Sequence, residues 1–322
     1  MPKQAIKTTI KIPCNADSGF PLLKIKNYDY DFDELILSDN TRNQINRIID
    51  EFKNSDILAT YNLNYKNKIL LCGKPGTGKT FSVQAISSLL KIPVVHIRFD
   101  AIISSFLGET ASNLRKVFEF IEKETWIVLF DEVDIIGKNR DDIHEHGEIK
   151  RIVNNYLQML DDFEGKSLLF AATNHQNMLD SAIWRRFDAV IAYDLPNEIE
   201  RKKLFESHLI SIKKDVNINF DYLVEMTDGL SHSDIKMIII DAMKTSILNN
   251  QERLSQHNIE YSVNNFLLRG KSLNQIQINK KELKQYWREI ICEACGCTES
   301  DTNNKLCSCC GKSIEKIEKT NN

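Results

Sequence analysis

Five short apolar runs limit what this chain can fold into more than any other feature. They cover residues 69–72, 94–97, 126–130, 168–172 and 189–193, and helical segments separate them. A run that is apolar at every position, not at every second one, is buried on both faces. Such runs alternating with helices build a parallel sheet covered on both sides. The expected fold class is therefore α/β, with the five runs in a parallel sheet. All six prolines lie at or before Pro196. Helical periodicity dominates beyond it, over 198–213, 221–226, 233–248 and 279–291, which predicts an all-helical unit over 197–287. Residues 254–277 are polar and poorly patterned. Residues 1–30 mix β-branched and turn residues and read as a small hairpin, an adaptor arm or a loose N-terminal tail. Ile45, Ile48, Ile49 and Phe52 recur at helical spacing and lead into the first run.

The first run ends in Gly73-Lys74-Pro75-Gly76-Thr77-Gly78-Lys79-Thr80. This is G-x-x-x-x-G-K-T, set after a strand and before a helix, the context that a phosphate-binding loop requires. Gly73, Pro75, Gly76, Thr77 and Gly78 form a loop whose backbone N–H groups turn toward phosphate, aided by the positive end of the next helix. Lys79 reaches the β- and γ-phosphates, and Thr80 is expected on Mg2+. The third run ends in Asp131-Glu132. Asp131 is placed to hold Mg2+ directly or through water, and Glu132 to polarise the attacking water as general base. The fourth run ends in Thr173-Asn174, where Asn174 can orient that water. Arg185 and Arg186 follow at a position suited to stabilising transition-state charge in a neighbouring subunit's site.

On these motifs, residues from Asp31 to about Gly270 resemble the AAA clade of AAA+ ATPases, which includes FtsH, katanin, spastin and the proteasomal ATPases. The resemblance implies a doubly wound, five-stranded, parallel P-loop ATPase domain over 31–196, a helical lid over 197–287, ATP at their junction and usually a homo-hexameric ring. It implies Walker A roles for Lys79 and Thr80, Walker B roles for Asp131 and Glu132, and the first sensor role for Asn174. The two arginines are adjacent here, where many members separate them, so which one is the principal finger is left open. His232 stands where the clade usually has glycine in the lid, either beside the phosphates or as part of the helix cap with Ser233.

Phe106-Leu107-Gly108 follows the second run and looks like the first pore loop of AAA translocases. An exposed aromatic can grip an extended polypeptide, and the glycine lets the loop move. Residues 137–147 read as a second, polar pore-facing loop. Its His144-Glu145-His146-Gly147-Glu148 lacks the H-E-x-x-H spacing of a zincin helix. No G-x-S-x-G elbow occurs either. A separate protease or effector partner is therefore one expectation.

Six of the eight cysteines fall in the last 31 residues. Clustered thiols without a secretory signal favour a metal over disulfides. Cys292-x-x-Cys295-Gly and Cys307-x-x-Cys310-Gly are two knuckles whose four thiolates suit tetrahedral Zn2+ in a small ribbon over 288–322. Cys297 and Cys309 are then surplus, or substitute as ligands, and an iron–sulfur cluster is the alternative. The segment 288–322 has a net charge of −1, unlike a basic nucleic-acid ribbon, which favours docking to a protein.

Charge and hydropathy narrow the remaining classes. Lys and Arg number 42 against 45 Asp and Glu, a net charge of −3, so the chain is no globally basic nucleic-acid binder. The longest charge-free stretch, 167–179, has 13 residues, too short for a membrane span. With no apolar signal region near Met1, the expectation is a cytoplasmic protein. The function expected is ATP hydrolysis coupled to remodelling, unfolding or translocating a protein. The alternatives are a nucleic-acid-directed ATPase and a nucleotide-gated scaffold.

Overall fold

The computed structural model describes residues 11–16, 18–102, 107–133, 146–174, 184–210, 213–215, 218–272, 290–291 and 298–299. The chain divides into two compact units, Met1–Leu195 and Pro196–Asn322.

The first unit holds strands β1 (Leu23–Lys26), β2 (Lys68–Gly73), β3 (Val94–Ile97), β4 (Ile127–Phe130), β5 (Leu168–Thr173) and β6 (Ala189–Tyr193). Its helices are α1 (Asp39–Lys53), α2 (Ser55–Thr60), α3 (Lys79–Leu90), α4 (Phe99–Ile102), α5 (Leu107–Lys123) and α6 (His146–Asp161), with a 3-10 turn at Phe32–Glu34. The sheet order is β1-β3-β4-β5-β2-β6. The five strands read from the apolar runs pair in parallel, while β1 pairs antiparallel with β3. The sheet thus has six strands, not five, and the extra one comes from the segment read as a hairpin, arm or tail. In β1, buried Leu23 and half-buried Ile25 alternate with exposed Lys24 and Lys26. Lysines on an outer strand also discourage further edge pairing.

Successive strand residues serve two cores. Leu70, Cys72, Val128, Phe130, Leu169 and Ala171 pack with Leu114, Val117, Phe118 and Ile121 of α5 and with Tyr156, Leu157 and Leu160 of α6. Ile69, Leu71, Ile127, Leu129, Leu168 and Phe170 pack with Ile45, Ile48 and Ile49 of α1 and with Val83, Ala85 and Ile86 of α3. A strand feeding both faces must be apolar throughout. Each such Leu or Ile contributes on the order of 2 kcal/mol by leaving water. The winding places the C-terminal ends of β4, β5 and β2 side by side, the usual ligand edge of an open α/β sheet.

The second unit contains α7 (Glu198–His208), α8 (Phe220–Met226), α9 (His232–Leu248) and α10 (Gln256–Ser272), and a two-stranded ribbon of β7 (Ile290–Ile291) and β8 (Thr298–Glu299). Asn197 and Ser231 begin α7 and α9 with reciprocal capping boxes to Glu200 and Asp234. Helix α10 occupies the poorly patterned 254–277 stretch. Its buried face is Asn258, Ile259, Ser262 and Val263, so two of its four inward residues are polar. Ser262 Oγ donates to Asp241 Oδ2 of α9 at 2.9 Å, and Asn258 closes the first turn with Ser255. Of the helix read over 279–291, residues 279–289 lie outside the described residues, and Ile290 and Ile291 are strand.

Candidate active site

Glycine chemistry shapes the loop between β2 and α3. Gly76 and Gly78 have φ of 76° and 99°, the left-handed region that glycine adopts without a Cβ penalty. Gly73 is required for closeness: a Cβ there would lie 2.2 Å from the Tyr193 carbonyl oxygen on β6. Thr77, fully buried, donates its hydroxyl to the Lys74 carbonyl at 2.8 Å and closes the loop. Gly78 offers α3 no side-chain cap, which leaves the first-turn N–H groups for an anion. Pro75 lies on the same loop.

Lys79 is 7% exposed, and its Nζ donates to the carbonyls of Gly73 and Lys74, each at 2.8 Å. The amine is thereby held over the loop that its charge would serve. Thr80 Oγ1 donates to Asp131 Oδ2 at 3.1 Å, joining the start of α3 to the end of β4. A hydroxyl and a carboxylate at that separation are the hard oxygen donors that Mg2+ takes, alongside phosphate and water. The residues present therefore fit a magnesium–nucleotide group.

Asp131 Oδ1 accepts the Glu132 N–H at 3.0 Å. Glu132 is exposed and has φ of 54°, a left-handed conformation that costs a non-glycine residue about 1 kcal/mol or more. The bend turns the chain sharply where the strand ends. Asn174 follows Thr173 on β5, the strand between β4 and β2. Below them, burial pushes the Cys72 thiol up to about 11, against the opposing pull of Lys79.

Arg185 is exposed. Arg186 is tied by its Nε to Asp161 Oδ2 at 2.8 Å, at the C-terminal end of α6. The two adjacent arginines thus differ in their surroundings. His232 is the first residue of α9, the helix that Ser231 caps. Sequence reasoning missed several contacts that shape the site. Leu37 Cδ2 lies 3.9 Å from where a Gly78 Cβ would be, so the 32–37 linker borders the loop. Arg42 holds that linker, donating to the Leu35 carbonyl and lying 5.6 Å over the Phe32 ring. Tyr193 and Asp161 were also unmarked. No local pattern reveals these pairings, because their partners are distant in sequence.

Phe106 and residues 134–145 lie outside the described residues, and Leu107 and Gly108 open α5. Cys292, Cys295, Cys297, Cys307, Cys309 and Cys310 also lie outside them; strands β7 and β8 bracket 292–297. Among the described residues, no cluster of three or more metal-ligating side chains occurs, and no helix is long and apolar enough to cross a membrane.

The profile of the ATPase family associated with various cellular activities (AAA) matches residues 69–195. An uncharacterized AAA family ATPase, y4kL, from Sinorhizobium fredii is 34% identical over 249 residues, covering 73% of this chain and 74% of that protein. A proteasome-activating nucleotidase of Saccharolobus solfataricus is 30% identical over 241 residues, 73% of this chain and 61% of the relative. The ATP-dependent zinc metalloprotease FtsH of Helicobacter felis is 28% identical over 262 residues, 79% of this chain but 41% of the relative. The chain therefore spans less than two thirds of the latter two proteins. By this similarity, the chain belongs to the AAA family of ATPases and is an ATP hydrolase.

Proposed function

We propose that this ATPase forms a homo-hexameric ring and spends ATP hydrolysis on remodelling, unfolding or translocating a protein. The observation that carries the catalytic half is the meeting of Lys79, Thr80 and Asp131 at one sheet edge, with Thr80 and Asp131 3.1 Å apart. Support for a protein substrate comes from relatives named proteasome-activating nucleotidase and FtsH. A mildly acidic composition weighs against a nucleic-acid-directed ATPase.

In this account Lys79 and the loop N–H groups of residues 73–80 bind the phosphates. Thr80 and Asp131 hold Mg2+, which when bound neutralises charge on the phosphate oxygens. Glu132 polarises the attacking water and Asn174 orients it. An arginine enters from the neighbouring subunit, and Arg185 is the principal finger, because Arg186 is engaged by Asp161. Residues 31–196 are the ATPase domain, 197–287 the lid and 1–30 an N-terminal segment. Residues 288–322 form a zinc ribbon, with Cys292, Cys295, Cys307 and Cys310 as ligands, that docks a protein partner such as a separate protease or effector. Phe106, with Leu107 and Gly108, grips the substrate in the ring's pore. The protein is cytoplasmic.

The test is affinity capture with Glu132→Gln, which should bind ATP without turning it over and so retain substrate. Recovery of a defined protein, lost when Phe106→Ala is added, is the expected result. Recovery of nucleic acid alone would refute the assignment.

A further inference from the structure

Residues 11–30 make contact with the ATPase unit at both ends of that stretch. At one end it folds back on itself. Leu22 N–H donates to the Pro13 carbonyl and Asn15 N–H to the Phe20 carbonyl, each at 2.9 Å. Asn15 Oδ1 accepts the Ser18 N–H at 3.1 Å, which leaves the side-chain amide pointing away from the turn. That amide is buried, and it donates to the Ala101 carbonyl of α4 at 3.2 Å. The next carbonyl, of Ile102, accepts from Asn113 Nδ2 of α5 at 3.4 Å. Lys116 Nζ, also on α5, reaches the Cys14 carbonyl at 3.5 Å.

Ala101 and Ile102 are the last described residues of α4, and their carbonyls accept the side-chain amides of buried Asn15 and Asn113. These bonds tie this part of α4 to the N-terminal segment and to α5.

The other end of the segment grips α3. Tyr30 N–H donates to Ser88 Oγ at 3.0 Å, and the Tyr30 ring meets Phe81 edge-on at 5.1 Å between centroids. Phe81 directly follows Thr80. Tyr28 stacks on Tyr30 at 5.7 Å and shares a 2.8 Å hydrogen bond with His96 of β3. Between the two ends, β1 is laddered to β3 from Leu23 to Lys26, and Leu22 and Leu23 are fully buried.

We propose that residues 11–30 act as a strap coupling the phosphate-loop helix α3 to α4, with Asn15 as the positioning residue at the α4 end. A shift of α3 on nucleotide binding is passed by Tyr30 into β1 and from there by Asn15 to the end of α4. Chain continuing from α4 leads to Phe106. Only this last, functional consequence rests on the reading of Phe106 as the substrate grip. If the strap merely seals the sheet edge, nucleotide binding has no path through Asn15.

Hydrogen exchange on the full chain, with and without a non-hydrolysable ATP analogue, tests this. Asn15→Asp keeps the acceptor for Ser18 N–H and removes the donor to Ala101. Wild type should gain protection across 99–102 on adding the analogue. In Asn15→Asp that gain should fall roughly fivefold, the equilibrium worth of one hydrogen bond, while the gain across α3 is kept. Tyr30→Ala combined with Ser88→Ala, which removes both the ring contact with Phe81 and the acceptor of the residue-30 N–H, should produce the same loss from the other end, and it decides the matter if Asn15→Asp does not fold. A full gain at 99–102 in the variants, or none in wild type, overturns the strap. Polypeptide-stimulated hydrolysis in the same proteins separates the two claims. Loss of the 99–102 response with unchanged stimulation supports the strap and counts against Phe106 as the grip.

Discussion

Replacing Gly73 by alanine tests how the phosphate loop is seated. The added Cβ would sit 2.2 Å from the Tyr193 carbonyl oxygen and 2.9 Å from the Tyr193 Cβ. Neither contact can be relieved by rotating a side chain, because the first is backbone and the second is fixed to it. The β2–β6 pairing, which joins Gly73 to Tyr193, must open locally or the loop must lift. Overpacking of this kind costs about 3 kcal/mol, the upper end of its range. For a unit of this size, that corresponds to a fall in Tm of roughly 6–12 °C. Thermal unfolding monitored by circular dichroism, with nucleotide affinity measured on the same protein, should show both the fall and weaker ATP binding. Gly78→Ala is the contrast. Among the described residues its Cβ meets Leu37, at an ordinary 3.9 Å contact, so the cost comes chiefly from the 99° φ. If Gly73→Ala kept the wild-type Tm and ATP affinity, the close seating of the loop on β6 would be wrong.

The arginine pair should divide by role. Arg185→Ala should lower ATP turnover about a thousandfold, the low end for a finger supplied in trans. Arg186→Ala should cost less activity and under about 1 kcal/mol of stability, because its pair with Asp161 is half-exposed; equal losses in turnover would refute the division. Alkylation mapped by mass spectrometry should mark exposed Cys14 at neutral pH and leave buried Cys72 unmarked while the fold is intact. Between the ordinary thiol value of 9.0 and about 11, the unfolded thiol ionises first, so Cys72 makes stability fall as pH rises through that window. Metal analysis should find one zinc per chain. Cys295→Ser or Cys310→Ser should lose it, whereas Cys297→Ser should not, and a zinc-free wild type would refute the ribbon.

How much was legible depended on how local the signal was. Strands β2, β4 and β5 were readable because burial on both faces makes each run apolar throughout, and β3 and β6 because their runs stay largely apolar although β3 carries His96 and β6 exposes Ala192. The phosphate loop and Asp131-Glu132 were readable because their chemistry requires particular residues a few positions apart. Strand β1 was not, because only Leu23 and Ile25 face inward and their lysine neighbours look like a surface. Helix α10 was hidden by Asn258 and Ser262, polar residues that are buried through hydrogen bonds to Ser255 and Asp241. The roles of Leu37, Tyr193 and Asp161 at the site could not be read, since each matters through a partner that the fold brings from elsewhere.

Steady-state ATP turnover in the presence of an unstructured polypeptide, set against the same assay with single- or double-stranded DNA, tests the central claim most directly. Polypeptide should stimulate hydrolysis by the wild-type chain, and the ratio of stimulated to basal rate should collapse in Phe106→Ala. Stimulation by DNA alone, falling steeply with salt, would contradict the account and move the chain to the nucleic-acid-directed class.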